Sequence, residues 1–174
     1  MAISLYDATV PNYLQVLTSL RGVLDKGLAY AKATGVDADS LVEARLIEDM
    51  FPLSFQVQRV ADHSAGALRD VSQGAFSFPK KEACDYAGLQ KILADAETQL
   101  RGWTREAVEA LQGRDVLFDT GHSAARTFKG EAFLFSFSMP NFHFHAVTAY
   151  DILRMKGVPV GKRDYLGETR TTLG

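Results

Sequence analysis

The sequence predicts an all-α fold: an up-and-down four-helix bundle with a small β-hairpin before the last helix. Two observations carry this. Four long segments repeat apolar residues at three- and four-residue spacing, which makes one face of a helix. Between the third and fourth the period changes. There "RDVLFDTGHSAARTFKG" reads as two short strand-like pieces around "TGHSAA". The 174 residues suffice for one well-cored domain, so 1–174 is read as a single bundle.

The first helix begins at Ser4, with Asp7 three residues on in near capping-box spacing. Leu14, Leu17, Leu20, Leu24 and Leu28 form its stripe. Pro11 lacks a backbone donor and predicts a kink or a restart, and Gly35 ends the helix. The second segment spans about Ser40 to Ser72 and is broken near Pro52 into a short helix and a longer one. Leu53, Val57, Val60, Ala67, Leu68 and Val71 stripe the longer part. "SQGAFSFPKKEA" is a loop. The third helix starts on the Asp85 cap and runs to about Gln112. Its buried side is carried by Leu89, Ile92, Leu93, Ala96, Leu100, Trp103, Val108 and Leu111, with Gly113 to end it. The fourth runs from Gly130 to Lys156, bent at Pro140, because the ring removes a bond and crowds the preceding turn. The glycine-rich tail after Gly157 is expected along the surface.

Composition narrows the function. The chain is 47% hydrophobic and 23% charged with a formal net charge of −2, so no global field gathers nucleic acid or anionic lipid. Its aromatics are not interleaved with basic residues, which argues against single-strand binding. No apolar run reaches the ~20 residues needed to span a bilayer, and no signal peptide begins the sequence. The single cysteine, Cys84, suits a reducing compartment and reads as an incidental thiol at a helix start. A cytoplasmic location is expected. "GVPVGKRD" lacks the glycine spacing of a phosphate loop, and no cysteine pair supports a zinc finger.

The histidines are the candidate chemistry. His143 and His145 lie two apart and so point about 200° apart on a helix, unable to grip one ion from one face. His145 shares its side with Asn141 and Thr148. Asp49, Gln56 and His63 recur every seven residues as a polar line beside the second stripe. A carboxylate, an amide and an imidazole on such a line can hold a metal or a polar ligand in a bundle interior. For His63 the simpler reading is a solvent-exposed flank. His122, in "DTGHSAA", reads as a turn residue.

Three stretches, "SLYDATVPNYL", "DMFPLSFQVQ" and "MPNFHFHAVTAYDILRMKGVPVGKRDYLG", together resemble a bacterial family of uncharacterised proteins, a domain of unknown function. That family is similar in architecture to the DinB/YfiT-like superfamily of four-helix bundles. The resemblance implies a bundle, often dimeric, with a cleft between helices. DinB-like members commonly present three histidines to a divalent metal, one from the second helix and two from the fourth at i, i+4. Matched on the helix end "YDILRMKGVP", the second of that pair is His145, and the first position holds Asn141. The region of Asp49 supplies the second-helix position. The function so implied is a DinB-like protein with a polar interhelical cleft at Asp49, Gln56, Asn141 and His145. That cleft takes a divalent metal, with His145 as ligand, or a small polar ligand. The alternative is a non-catalytic structural or interaction protein with no bound cofactor. A homodimer is expected in either case.

Overall fold

A computed structural model of the chain describes residues 3–76, 79–80, 82–121 and 124–171. Helix α1 (Leu5–Thr34) starts where the Ser4 side chain accepts the Asp7 amide, and stops at Gly35, whose φ of 74° suits a residue without Cβ. It runs through Pro11 without a restart. A tight 3₁₀ turn (Ala38–Leu41) and further turns replace the expected short helix before Pro52. Pro52 then precedes α2 (Leu53–Ala61), which passes through a π turn (Asp62–Gly66) into α3 (Ala67–Gln73). All six residues of the predicted stripe here are fully buried.

The expected loop after Gly74 contains a two-residue strand, β1 (Ala75–Phe76). Helix α4 (Tyr86–Arg101) begins on the Asp85 cap but ends eleven residues earlier than the periodicity suggested. Thr104 caps a new short helix, α5 (Arg105–Glu109). Strands β2 (Asp115–Phe118) and β3 (Arg126–Lys129) form the predicted antiparallel hairpin, with Asp115 opposite Lys129. His122, read as a turn residue, lies outside the described residues. β1 adds to β2 in parallel, Phe76 beside Phe118, so among the described residues the sheet has three strands in the order β1-β2-β3. The all-α expectation is therefore corrected to a mainly helical fold with a small sheet.

The last helical stretch comprises α6 (Gly130–Phe133), a second π turn (Leu134–Ser138) and α7 (Met139–Met155). Pro140 has no amide hydrogen to donate, and the wide turn falls immediately before it. α2 packs on α7 and α4, and α1 packs on α4 and α7. The tail is less superficial than expected. Val158 and Val160 are core residues, and α8 (Lys162–Leu166) docks on α1. There Lys26 meets Asp164 at 2.6 Å and Gln15 donates to the Leu166 carbonyl at 3.0 Å. Among the described residues no helix is long and apolar enough to cross a membrane.

One clamp ties the start of α1 to α5. The Arg105 guanidinium grips both Asp7 oxygens, at 2.7 and 2.8 Å. These bonds hold the Asp7 carboxyl at about 2. Its folded value lies below the ~3.9 of an unfolded aspartate, so the clamp contributes fully above about pH 4 and is lost as pH falls toward 2. Urea midpoints of wild type and Asp7→Asn are expected to differ at pH 5 and to converge near pH 2.

Candidate functional site

The two π turns bring a cluster of buried polar side chains together in the interior. Such turns rotate the helix register and are frequent at functional sites. The first carries His63, which is 1% exposed, and the second ends at Ser138, which is fully buried. The Ser138 hydroxyl donates to the His63 carbonyl at 3.0 Å, stitching the turns together, and lies 3.5 Å from His63 Nδ1. The run Ser64, Ala65, Gly66, Ala67 is buried and small, which lets the neighbouring helices approach closely at this level.

His145, on α7, lies beside His63. Their rings are nearly parallel, 6° apart in plane, with centres 5.7 Å apart. His145 Nδ1 is 2.7 Å from Gln56 Oε1. The Gln56 amide nitrogen donates to the Phe51 carbonyl at 2.8 Å. A carbonyl only accepts, so this second bond fixes which end of the amide faces the histidine. The Gln56 oxygen can only accept as well, so His145 Nδ1 must carry the hydrogen. When the ring is neutral, that arrangement puts its lone pair on Nε2, the form in which imidazole binds a metal. This chain from Phe51 to Gln56 to His145 is the most specific feature of the interior.

Aromatic rings surround the pair. Phe55 and Phe144 stand edge-on to His145 at 6.0 and 5.3 Å, and Phe51 stacks on Phe55 at 4.0 Å. Phe137 stands edge-on to His63 at 5.4 Å, and Phe76 lies at 6.1 Å. Through Phe76, Phe118, Phe133 and Phe137 the little sheet is packed directly behind His63. Arg59, buried at the same level, pairs with Asp62 at 3.2 Å and lies over the Phe55 ring. Burial pulls the Arg59 pKa down and Asp62 opposes it. Deeper still, the Tyr13 hydroxyl is fully buried and makes no hydrogen bond of ordinary geometry among the described residues. Burial pushes its phenol up, and nearby Ser138 pulls against that shift.

Of the four residues expected in the cleft, the fold brings Gln56 and His145 together. Asp49 lies exposed in the turns before α2 and makes no hydrogen bond to either of them. Asn141 is half-buried, and its amide nitrogen is committed to the Phe137 carbonyl of its own helix at 2.7 Å. His143 is exposed, on the other side of α7, 3.3 Å from the Tyr165 hydroxyl. Burial on that side still pulls its pKa down. His63 corrects the sequence reading: it is no solvent flank but the inner partner of His145. Ser138 and Tyr13 carried no sequence signal beyond their types. Among the described residues no group of three His, Cys, Asp or Glu side chains gathers as a metal cage.

A family model described as a domain of unknown function, DUF1993, matches residues 5–166. The chain belongs to this family. A search of curated proteins returns no match. Among solved structures, the crystal structure of a DinB family member protein from Shewanella denitrificans is similar, with 30% sequence identity and a TM-score of 0.84. The match covers 98% of this chain and 96% of that one. Gln56, His63, Ser138 and His145 all fall inside the span that defines this DUF1993 domain.

Proposed function

We propose that this DUF1993 protein is a DinB-like bundle protein that binds a divalent cation between α2 and α7, with His145 and His63 as its imidazole ligands. The observation that carries the reading is the Phe51–Gln56–His145 chain. It spends a buried glutamine on holding one histidine in its ligand tautomer, at 2.7 Å. The donor set meets one condition of fit. An imidazole centre stands about 3.2 Å from an ion that its nitrogen coordinates, so two rings can share an ion only when their centres are within ~6.4 Å and both planes pass through it. Here the centres are 5.7 Å apart with planes 6° from parallel, so one ring must turn on its side-chain bonds for both lone pairs to meet the ion.

Two neutral nitrogens favour a borderline ion such as zinc over magnesium or calcium. A bound divalent ion would supply Lewis acidity to an oxygen of a small polar ligand. The chain's own part is to fix the rings, to keep bulk water from His63, and to line the approach with Phe51, Phe55 and Phe144. Asp49 and Asn141 belong in this reading as polar groups flanking the approach. The single cysteine fits a cytoplasmic location, and a homodimer belongs to the same reading.

The test uses protein purified without an affinity tag, stripped with a chelator and titrated with zinc by calorimetry. We expect one site per chain in the wild type and a loss of at least about 100-fold in affinity in His145→Ala, with His143→Ala unchanged. A wild type that takes up no ion, and whose melting temperature ignores zinc, nickel and manganese, would favour the alternative: a structural dimer with core histidines and no cofactor.

A further inference from the structure

Ser19, Ser64, Ser72 and Ser136 turn their hydroxyls back on their own helices, each donating to a carbonyl three or four residues earlier. Ser138 departs from this pattern. Its hydroxyl crosses from the end of one π turn to the other and donates to the His63 carbonyl at 3.0 Å. That bond uses the one hydrogen the hydroxyl has, because a carbonyl only accepts. Toward its other neighbours Ser138 Oγ then shows lone pairs alone. One neighbour is His63 Nδ1, at 3.5 Å. Another is Tyr13, on α1. The Tyr13 ring packs edge-on against Phe142 at 4.9 Å, four residues after Ser138. Its hydroxyl faces Ser138 closely enough for the serine to oppose the upward pull of burial on the phenol. Ser138 and Tyr13 are both fully buried, so bulk water does not stand in for either partner.

We infer that Ser138 is the positioning residue of His63, the counterpart of Gln56 at His145. An oxygen that presents only lone pairs to Nδ1 favours the neutral ring with its hydrogen there, which leaves the ring's own lone pair on Nε2. The two arrangements are reciprocal across one pair of helices. Gln56 of α2 holds His145 of α7, and Ser138, just before α7, holds His63, just after α2. Two buried oxygens of different chemistry, an amide and a hydroxyl, thus set adjacent rings in one tautomer. The contact to His63 is the longer, at 3.5 against 2.7 Å, so the hold of Ser138 is the weaker of the two. The tautomer belongs to the metal-free protein, whereas its use as a ligand form rests on the ion-binding function proposed for this site.

Long-range ¹⁵N–¹H correlation spectra of chelator-stripped protein at about pH 8, where imidazole is neutral, read the tautomer with no ion present. In the wild type His63 should carry its hydrogen on Nδ1. Ser138→Ala takes away the facing oxygen. It should move much of His63 to the Nε2–H form and lower zinc affinity about 10-fold, the small end of the range for a lost ligand partner. Tyr13→Phe removes a buried hydroxyl from the same place but no acceptor of His63, so its His63 tautomer should match the wild type. That variant separates lost positioning from a general loss of buried polar packing. The wild-type spectrum decides alone should Ser138→Ala fail to fold. The inference is overturned by a wild-type His63 with its hydrogen on Nε2, by a folded Ser138→Ala with an unchanged His63 tautomer, or by an equal change in Tyr13→Phe. A wild type with the Nδ1–H form that takes up no zinc upholds the positioning of His63 and sinks the ion-binding function instead.

Discussion

Replacing Phe76 by alanine is expected to destabilise the protein by about 3–5 kcal/mol, the range for a buried aromatic truncated in a packed core. This is a large effect for a strand of two residues. The reason is its place in the packing. Phe76 is 1% exposed, with Phe118, Phe133 and Phe137 within 5.1–5.6 Å of its ring centre and His63 at 6.1 Å. Removing it leaves a void between the sheet and the π turn that the rigid helix ends cannot fill. Urea denaturation should report the loss, and His63 should become measurably less ordered than His145. A shift below about 1 kcal/mol would mean that the sheet can collapse onto the gap, against the packing described.

Gln56→Leu is expected to act twice. The leucine keeps the bulk but removes the acceptor of the buried His145 Nδ1–H, which costs about 1–3 kcal/mol, and leaves the Phe51 carbonyl of an exposed residue to water. It also releases the tautomer, so ion affinity should fall about 10–100-fold with His145 still present. Gln56→Glu separates the two effects. A carboxylate can accept from Nδ1–H and preserve the ligand form of His145, but it cannot donate to Phe51. Affinity should therefore recover in Gln56→Glu while stability does not. Parallel losses of affinity in both variants would assign Gln56 a packing role only.

Much of the fold was legible because leucine spacing and caps agree. Ser4, Gly35, Asp85 and the α1 stripe all mark helix limits or faces that the structure keeps. The early end of α4 was hidden by its own regularity. Val108 and Leu111 keep the period across the break at Gly102, where the chain restarts on Thr104 and still buries both. β1 was invisible since two residues carry no alternation to read, and its strand character comes from β2. The tail misled by its glycines, although Val158 and Val160 were there to be weighed as core.

The site was half legible. Gln56 and His145 could be paired from helix faces alone. Asp49 could not be excluded, because the seven-residue line was extended through Pro52 as if the helix continued. His63 was misjudged for a related reason. It sits in a π turn that begins at Asp62, where the register rotates, and a flank in an ideal helix becomes an inner face. The small-residue run after it was the available hint, since Ser64 to Ala67 leave nothing bulky to hold a neighbouring helix away.

The proposed site rests on the protonation of one ring. Long-range ¹⁵N–¹H correlation spectra of the histidines at neutral pH measure it directly in the intact protein. His145 should be neutral, with its hydrogen on Nδ1 and an unprotonated Nε2, and zinc should shift the Nε2 resonances of His145 and His63 together while leaving His143 in place. A His145 that carries its hydrogen on Nε2, or a pair of rings whose resonances ignore zinc, would contradict the proposed site.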